Sequence, residues 1–168
     1  MDILDYAMKM ELDGKAFYER HASKIKEPGL QKILLTLAEE EEKHYRFFKN
    51  LKEGDFSAAE EEIRSSSTLT TTRNIFQKLA DEGEGKSFGE DEQSVWIEAM
   101  KIEEKAEKMY REQAAKETDP TRKEMLTQIA NEEQQHIYLI DNVLTYLKFP
   151  GTFADSSQFK DFKSWEGK

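Results

Sequence analysis

The fold is decided by residues 37–48, which read Leu-Ala-Glu-Glu-Glu-Glu-Lys-His-Tyr-Arg-Phe-Phe. With their neighbours they predict a helix, because side chains spaced three and four apart line up as one stripe. The stripe comprises Leu34, Leu37, Glu41, His44, Phe48 and Leu51. The stripe is apolar at both ends and polar in the middle. The helix is therefore predicted to point the carboxylate of Glu41 and the imidazole of His44 into the hydrophobic core.

The same pattern returns 92 positions later, without a gap. The second stripe comprises Leu126, Ile129, Glu133, His136, Ile140 and Val143. The same offset relates Glu11 to Glu103, Tyr18 to Tyr110 and Pro28 to Pro120. Helical periodicity alone would match apolar positions, but it would not match this polar set. The sequence therefore predicts two similar helix pairs related by a pseudo-two-fold axis.

Four long helices are predicted, and they make an all-α four-helix bundle. Their ranges are about 3–25, 28–51, 91–116 and 120–148. Short turns join the first helix to the second and the third to the fourth, so each pair is antiparallel. Positions equally far from such a turn lie at the same height. Glu11 is therefore predicted to face Glu41, and Glu103 to face Glu133.

The remaining segments connect or follow the bundle. Residues 55–90 are predicted to form a long crossover with one short helix, because a Ser/Thr run at 65–72 precedes a short apolar-periodic piece. Residues 1–148 are predicted to be one domain, and residues 149–168 a C-terminal tail. The tail's aromatic residues are expected to pack on the bundle or on a partner chain, with a disordered tail as the alternative. They are Phe153, Phe159, Phe162 and Trp165.

Composition narrows the function classes. The chain has 168 residues, no cysteine and a formal net charge of −10. Without cysteine there is no disulfide or thiolate metal site, so any metal takes nitrogen and oxygen ligands. The charge argues against nucleic acid and anionic membranes as partners. The acidic N-terminal segment is unlike a secretory signal or a membrane span, so we expect a cytoplasmic protein. We also expect a homodimer, because two-fold dimers are the commonest oligomers.

Six polar side chains are predicted to meet at mid-height of the bundle. They are Glu11, Glu41, His44, Glu103, Glu133 and His136. Four buried carboxylates that are ionised and unpaired would destabilise the core strongly, and two divalent cations would neutralise them. One Glu from each of two helices plus Glu-x-x-His from each of the other two is the ligand set of di-iron and di-manganese bundles. Iron, manganese and zinc stay open, and a metal-free core of protonated glutamates and hydrogen-bonded histidines is the alternative.

Two tyrosines and two small residues lie near this predicted site. Tyr18 and Tyr110 follow the glutamates of the first and third helices by two turns, so both rings are predicted to point into the bundle. Their hydroxyls either donate to ligand carboxylates or bond elsewhere in an ordinary aromatic core. Gly14 and Ala106 follow the same glutamates by one turn, and they either leave room for a small ligand or permit close helix approach.

The other charged residues of interest are assigned to surfaces. Glu39, Glu40 and Glu42 are predicted to form a solvated face, as runs of charge usually do. His21 matches Gln113 in the second half and has no partner in the pattern, so it is interpreted as a structural or surface residue.

The paired motifs resemble the rubrerythrin branch of the ferritin-like superfamily over about residues 1–148. The resemblance rests on Glu11, Glu41-x-x-His44, Glu103 and Glu133-x-x-His136, and on the tyrosine pair. It implies a ferritin-like bundle with a non-haem di-iron centre that reduces hydrogen peroxide or dioxygen. It also implies that Glu41 and Glu133 bridge two iron ions, that Glu11 and Glu103 cap them, and that one histidine binds each ion.

The chain departs from full-length rubrerythrins in two ways. Those proteins carry a rubredoxin-like iron site with four cysteines, so here the electrons would come from a separate donor. They also carry an extra carboxylate ligand on the third helix, where this chain has Ala106, and Glu104 or Glu107 is the nearby candidate. A ferroxidase or iron-storage protein and a metal-binding module without redox activity are the alternative functions.

Overall fold

The chain is all-α, as predicted, in a computed structural model that describes residues 2–64 and 68–164. In chain order the helices are α1 (Ile3–Ala22), α2 (Pro28–Lys52), α3 (Phe56–Arg64), α4 (Thr68–Glu82), α5 (Glu90–Lys116), α6 (Pro120–Lys148), a 3-10 helix (Pro150–Asp155) and α7 (Ser157–Ser164). The bundle is built from α1, α2, α5 and α6, and the most extensive packing is of α1 on α2 and of α5 on α6. Across the described ranges, no helix is both long and apolar enough to cross a bilayer.

Side-chain caps fix where the bundle helices begin. The Asp2 carboxylate accepts a hydrogen bond from a backbone N–H in the first turn of α1. Glu27 and Asp119 do the same for α2 and α6, and Pro28 and Pro120 are the first residues of those helices. Such caps satisfy N–H groups that have no partner within the helix. Because α2 and α6 begin at equivalent positions of the repeat, their Glu-x-x-His motifs lie at equivalent heights.

Two details of the helix prediction are wrong. The first helix ends at Ala22 instead of residue 25, and Ser23 caps it with a hydroxyl that donates to the carbonyl of Arg20 over 2.7 Å. The crossover contains two helices, α3 and α4, where one was predicted. Both pack on α2, and the side chains of Ala59 and Phe76 are fully buried. Residues 65–67 of the predicted Ser/Thr run lie outside the described residues.

The C-terminal segment packs on the bundle as far as it is described. The ring of Phe153 lies 5.5 Å from that of Tyr146 and 4.9 Å from that of Phe159, measured between centroids, and it also contacts Phe76. The tail was expected to pack on the bundle, to pack on a partner chain or to be disordered. For Phe153 and Phe159 the structure shows packing on the bundle. The side chain of Phe162, and Trp165 entirely, lie outside the described residues.

The apolar core consists of two clusters with a polar layer between them. One cluster, which includes Tyr18, Leu34 and Trp96, occupies the end of the bundle covered by α4 and the C-terminal segment. The other, which includes Phe48 and Tyr110, occupies the opposite end. Both clusters exclude water from the middle of the bundle, where the 92-residue repeat places the carboxylates and imidazoles of the two helix pairs.

Candidate metal centre

The structure brings all six predicted polar side chains together. The described residues form three groups of possible ligands, and the six predicted residues make up two of them: Glu11, Glu41, His44 and Glu133, and Glu41, Glu103, Glu133 and His136. The third group joins both histidines to Glu40. Within each group, one nitrogen or oxygen atom of every residue lies within 4.8 Å of those of the others. Glu41 and Glu133 belong to both of the groups that the six residues make up, which is the arrangement that two bridging carboxylates require.

Both imidazoles turn Nδ1 towards the carboxylates. Nδ1 of His44 is 2.6 Å from Oε1 of Glu133 and 3.6 Å from Oε2 of Glu11. Nδ1 of His136 is 3.5 Å from Oε2 of Glu103. The two rings are stacked, with centroids 5.4 Å apart and planes 15° from parallel. The histidines therefore present equivalent nitrogen atoms to the two ends of the carboxylate cluster.

The atoms that face the centre lack ordinary partners. All six residues are buried, with at most 2% of each exposed. Within the described residues, each of the six has a buried nitrogen or oxygen atom without a hydrogen bond: Glu11 Oε2, Glu41 Oε1, both His44 nitrogens, Glu103 Oε2, both Glu133 oxygens and His136 Nδ1. His44 Nδ1 and Glu133 Oε1 form a close ion pair, but not with the geometry of a hydrogen bond. Buried polar atoms are costly unless something pairs with them. A donor set of four carboxylates and two imidazoles fits a pair of divalent cations.

The comparisons with known proteins agree with this geometry. The sequence model of the Rubrerythrin family matches residues 2–144, a range that contains all six residues and both tyrosines. The chain belongs to the rubrerythrin family. Members of this family have a ferritin-like helical bundle and bind a di-iron centre, so the predicted family and fold class are confirmed. Neither the search of curated proteins nor that of solved structures gives a match.

The two tyrosines tie the halves of this rubrerythrin-family bundle together. Tyr18 on α1 donates to Oε1 of Glu103 on α5 over 2.6 Å, and Tyr110 on α5 donates to Oε1 of Glu11 on α1. Both hydroxyls thus bond carboxylates of the site, which was the first of the two predicted alternatives. Burial raises the pKa of both tyrosines well above the usual value, and the nearby carboxylates add to this effect. Each hydroxyl therefore keeps its proton and remains a donor.

The four carboxyl groups divide into two kinds. Burial raises the pKa of Glu41 and Glu133 well above the usual value, and repulsion by the other carboxylates acts in the same direction. Burial also acts to raise the pKa of Glu11 and Glu103, but hydrogen bonds and the facing histidine outweigh it, so both values are lowered. Without metal, the shared carboxyls therefore favour the protonated form more than usual, and the terminal pair favours the ionised form.

The two histidines complete this charge pattern. Burial lowers the pKa of His44 and His136, but neighbouring carboxylates, chiefly Glu133 for His44 and Glu103 for His136, raise both values well above the usual one. Imidazoles with raised pKa values thus face carboxylates with lowered pKa values, so opposite charges are paired inside the cluster. This balance explains how the family's bundle can enclose six ionisable groups in its middle.

Gly14 makes room for one of the shared carboxylates. A Cβ atom at this position would lie 2.8 Å from Oε2 of Glu41, which is closer than real contacts allow. The space beside Gly14 is therefore filled by the protein's own Glu41. The repeat places Ala106 at the matching position of α5, and it is buried as well.

The prediction that Glu40 is solvated is wrong, and the burial of Glu132 was not predicted. Glu40 is only 3% exposed, although the run of glutamates was predicted to be solvated; Glu39 is exposed and Glu42 half-buried. Glu132, for which no role was predicted, is 8% exposed. The signal was present, since Glu40 and Glu132 are related by the same offset as the ligands.

The candidates for an extra ligand lie away from the centre. Glu104 is exposed, and Glu107 forms an ion pair with Arg111 at 2.7 Å, so neither belongs to the ligand groups. His21 is half-buried against the ring of Phe17, at 4.4 Å between centroids, in keeping with a structural or surface role. Within the described residues, this rubrerythrin-family centre thus offers two glutamates and one histidine from each half.

Proposed function

We propose that this chain is a non-haem di-iron oxidoreductase of rubrerythrin type that reduces hydrogen peroxide or dioxygen. The observation that carries the proposal is the sharing of Glu41 and Glu133 by two ligand groups, because it creates two metal positions side by side. Glu11 and His44 would complete one position, and Glu103 and His136 the other. Carboxylate and imidazole ligands suit iron, and membership of the rubrerythrin family supports iron over manganese and zinc.

When bound, two Fe(II) ions supply one electron each, so that one hydrogen peroxide and two protons become two water molecules. The protein's residues hold this chemistry in place. Tyr18 and Tyr110 fix the terminal carboxylates through their hydroxyl donors. The two apolar clusters exclude bulk water from both ends of the site. Both electrons have to be restored by a separate donor, because the chain has no cysteine to bind a second iron site.

The proposal is tested by stopped-flow spectroscopy on protein loaded anaerobically with two Fe(II) per chain. Hydrogen peroxide should oxidise two Fe(II) per molecule, with a rise in near-ultraviolet absorbance. The Glu133→Gln variant should lose most of this reaction, since it changes a carboxylate common to both metal positions. Glu104→Gln is the matched control, because it removes the same charge from an exposed position. Failure of the loaded protein to react with either peroxide or dioxygen would overturn the proposal.

Iron loading separates this function from the storage and binding alternatives. With excess Fe(II) and dioxygen, the proposed oxidoreductase should retain about two iron ions per chain and behave as a homodimer in light scattering. An iron-storage protein would accumulate far more iron in a large hollow assembly. A binding module without redox activity would retain zinc or manganese from the cell and show no oxidation step.

A further inference from the structure

Two buried carboxylates lie outside the six-residue ligand set. Glu40 and Glu132 each precede a shared glutamate by one residue, so they occupy equivalent places on α2 and α6. At 3% and 8% exposure, both are removed from water. A buried carboxylate that serves no partner destabilises a fold, so the presence of one in each half calls for a partner near each.

The imidazoles of the opposite helices are candidate partners for both carboxylates. Nε2 of His44, on α2, lies 3.7 Å from Oε1 of Glu132, on α6. In the other direction, one oxygen of Glu40 lies within 4.8 Å of a ring nitrogen of His136, and also of one of His44 on its own helix. The Nδ1 atoms of both rings already face the carboxylate cluster. Each imidazole therefore lies between the metal positions and a carboxylate from the other helix pair.

We propose that Glu40 and Glu132 are positioning residues that orient His136 and His44 across the two helix pairs. Each carboxylate accepts a hydrogen bond from Nε2–H, and Nδ1 is then free to bind the metal. A neutral imidazole has only one N–H, so a partner at Nε2 decides which nitrogen carries the proton. The 3.7 Å separation exceeds a hydrogen bond, so the proposal requires the Glu132 side chain to move closer to His44 when metal binds. The inference rests on the proposed di-metal centre.

The two positioning carboxylates are not equivalent. Nζ of Lys43 lies 3.3 Å from Oε1 of Glu40, and the repeat places Gln135 at the matching position of α6. Within residues 2–64 and 68–164, Glu132 forms an ion pair with His44 alone, and its Oε2 has no hydrogen-bond partner. Lys43 offsets part of the charge that Glu40 presents to its imidazole. Loss of Glu132 should therefore affect metal binding more than loss of Glu40.

The test uses Co(II) as the sole added metal, with visible spectra for affinity and paramagnetic proton NMR for the imidazoles. The wild-type protein should bind two Co(II) per chain and show two shifted, exchangeable imidazole N–H resonances. Glu132→Gln should weaken one of the two binding steps by about tenfold or more, as loss of such partners usually does. It should also accelerate solvent exchange of one resonance. Glu40→Gln should act on the other resonance with a smaller change in affinity.

The control is Glu39→Gln, which makes the same charge change one residue away on the exposed side of α2. Wild-type affinity and unchanged exchange in both buried variants would overturn the inference, although the proposed function would stand. Binding of three Co(II), reduced to two by Glu40→Gln, would also overturn it, because Glu40 would then be a ligand. Failure of the wild-type protein to bind a metal pair would remove the proposed function itself.

A measurement on the unmodified protein tests the inference even when the variants fail to fold. With Zn(II) bound, nitrogen-15 NMR of the histidine rings identifies which ring nitrogen carries the proton. Protonated Nε2 in both His44 and His136 is the expected result. Metal bound through Nε2 in either ring would overturn the inference without any substitution.

Discussion

Loading the centre with metal should release about four protons, a number that follows from the charges in the cluster. Without metal, Glu41 and Glu133 hold protons because burial and mutual repulsion raise their pKa values. The two histidines hold a second proton each because the facing carboxylates raise theirs. Two divalent cations need ionised carboxylates and neutral imidazoles. All four protons then leave, and the metal ions take over their positive charge.

Proton release makes metal affinity strongly dependent on pH. The pKa values of all four groups are raised, so the joint affinity for two ions should rise with pH wherever these groups are protonated in the metal-free protein, by up to roughly 10⁴-fold per pH unit. The rise should flatten at higher pH, where the metal-free groups begin to lose these protons. Raising the pH favours the bound state because protons and metal compete for the same atoms.

Isothermal titration calorimetry with Co(II) measures directly how many protons are released when metal binds. Titrations at one pH in buffers of different ionisation enthalpy give a line whose slope is the number of protons released. Glu41→Gln imitates the protonated carboxyl, so a variant that still binds two ions should release one proton fewer. A wild-type release of two protons or fewer would refute the assignment, because the shared carboxyls would then already be ionised.

Three further predictions concern single residues and pH. Gly14→Ala should leave the metal-free fold intact but lower Co(II) affinity roughly tenfold, because the new Cβ displaces the Glu41 carboxylate; the same titration and a melting curve measure both effects. Tyr18→Phe should lower the free energy of unfolding by about 1–3 kcal/mol in chemical denaturation, because it leaves a buried carboxylate oxygen without its donor. Tyr146→Phe is its control and should be nearly neutral, since that hydroxyl has no hydrogen-bond partner in the described residues. Finally, the metal-free protein should melt at lower temperature as the pH is raised from 6 to 9. The buried histidines have raised pKa values, so the stability they contribute is complete below their usual pKa of 6.5 and is lost as the pH rises through the folded-state values. A melting temperature that rises over this range would contradict the assignment.

The bundle, and the meeting of the six side chains at its centre, could be predicted from the sequence. The 92-residue repeat contains both the helix pairs and the matched Glu and His positions. A single Glu-x-x-His is weak evidence in a chain so rich in glutamate. Two copies at one offset, each on a helix whose apolar stripe continues above and below the motif, specify both an inward direction and a height. Pro28 and Pro120 then set the same starting point for both helices. The tyrosines followed from the same repeat, and the structure adds that each bonds the carboxylate of the other half.

Glu40 shows where this reasoning stops. The apolar stripe identifies only one buried face of α2. A glutamate beside that stripe is therefore predicted to be solvated. In the bundle, α2 packs on α1 and also contacts α6. Glu40 lies on the side that approaches His136. A helix that contacts two neighbours buries two faces, and periodicity within one helix does not identify the second. The same limit applies to the crossover, whose unpredicted helix α3 packs on α2 and α6.

Protons on the raised-pKa groups would allow the bundle to fold before any metal binds. If the cluster were stable only with ions, the four-helix bundle could not form until metal was bound, as in small zinc-dependent domains. Here protons take the place of the ions, and two large apolar clusters pack independently of the centre. The metal-free chain should therefore fold first and bind metal afterwards. In circular dichroism, removal of metal by a chelator should leave the helical signal nearly unchanged while the Co(II) absorption disappears.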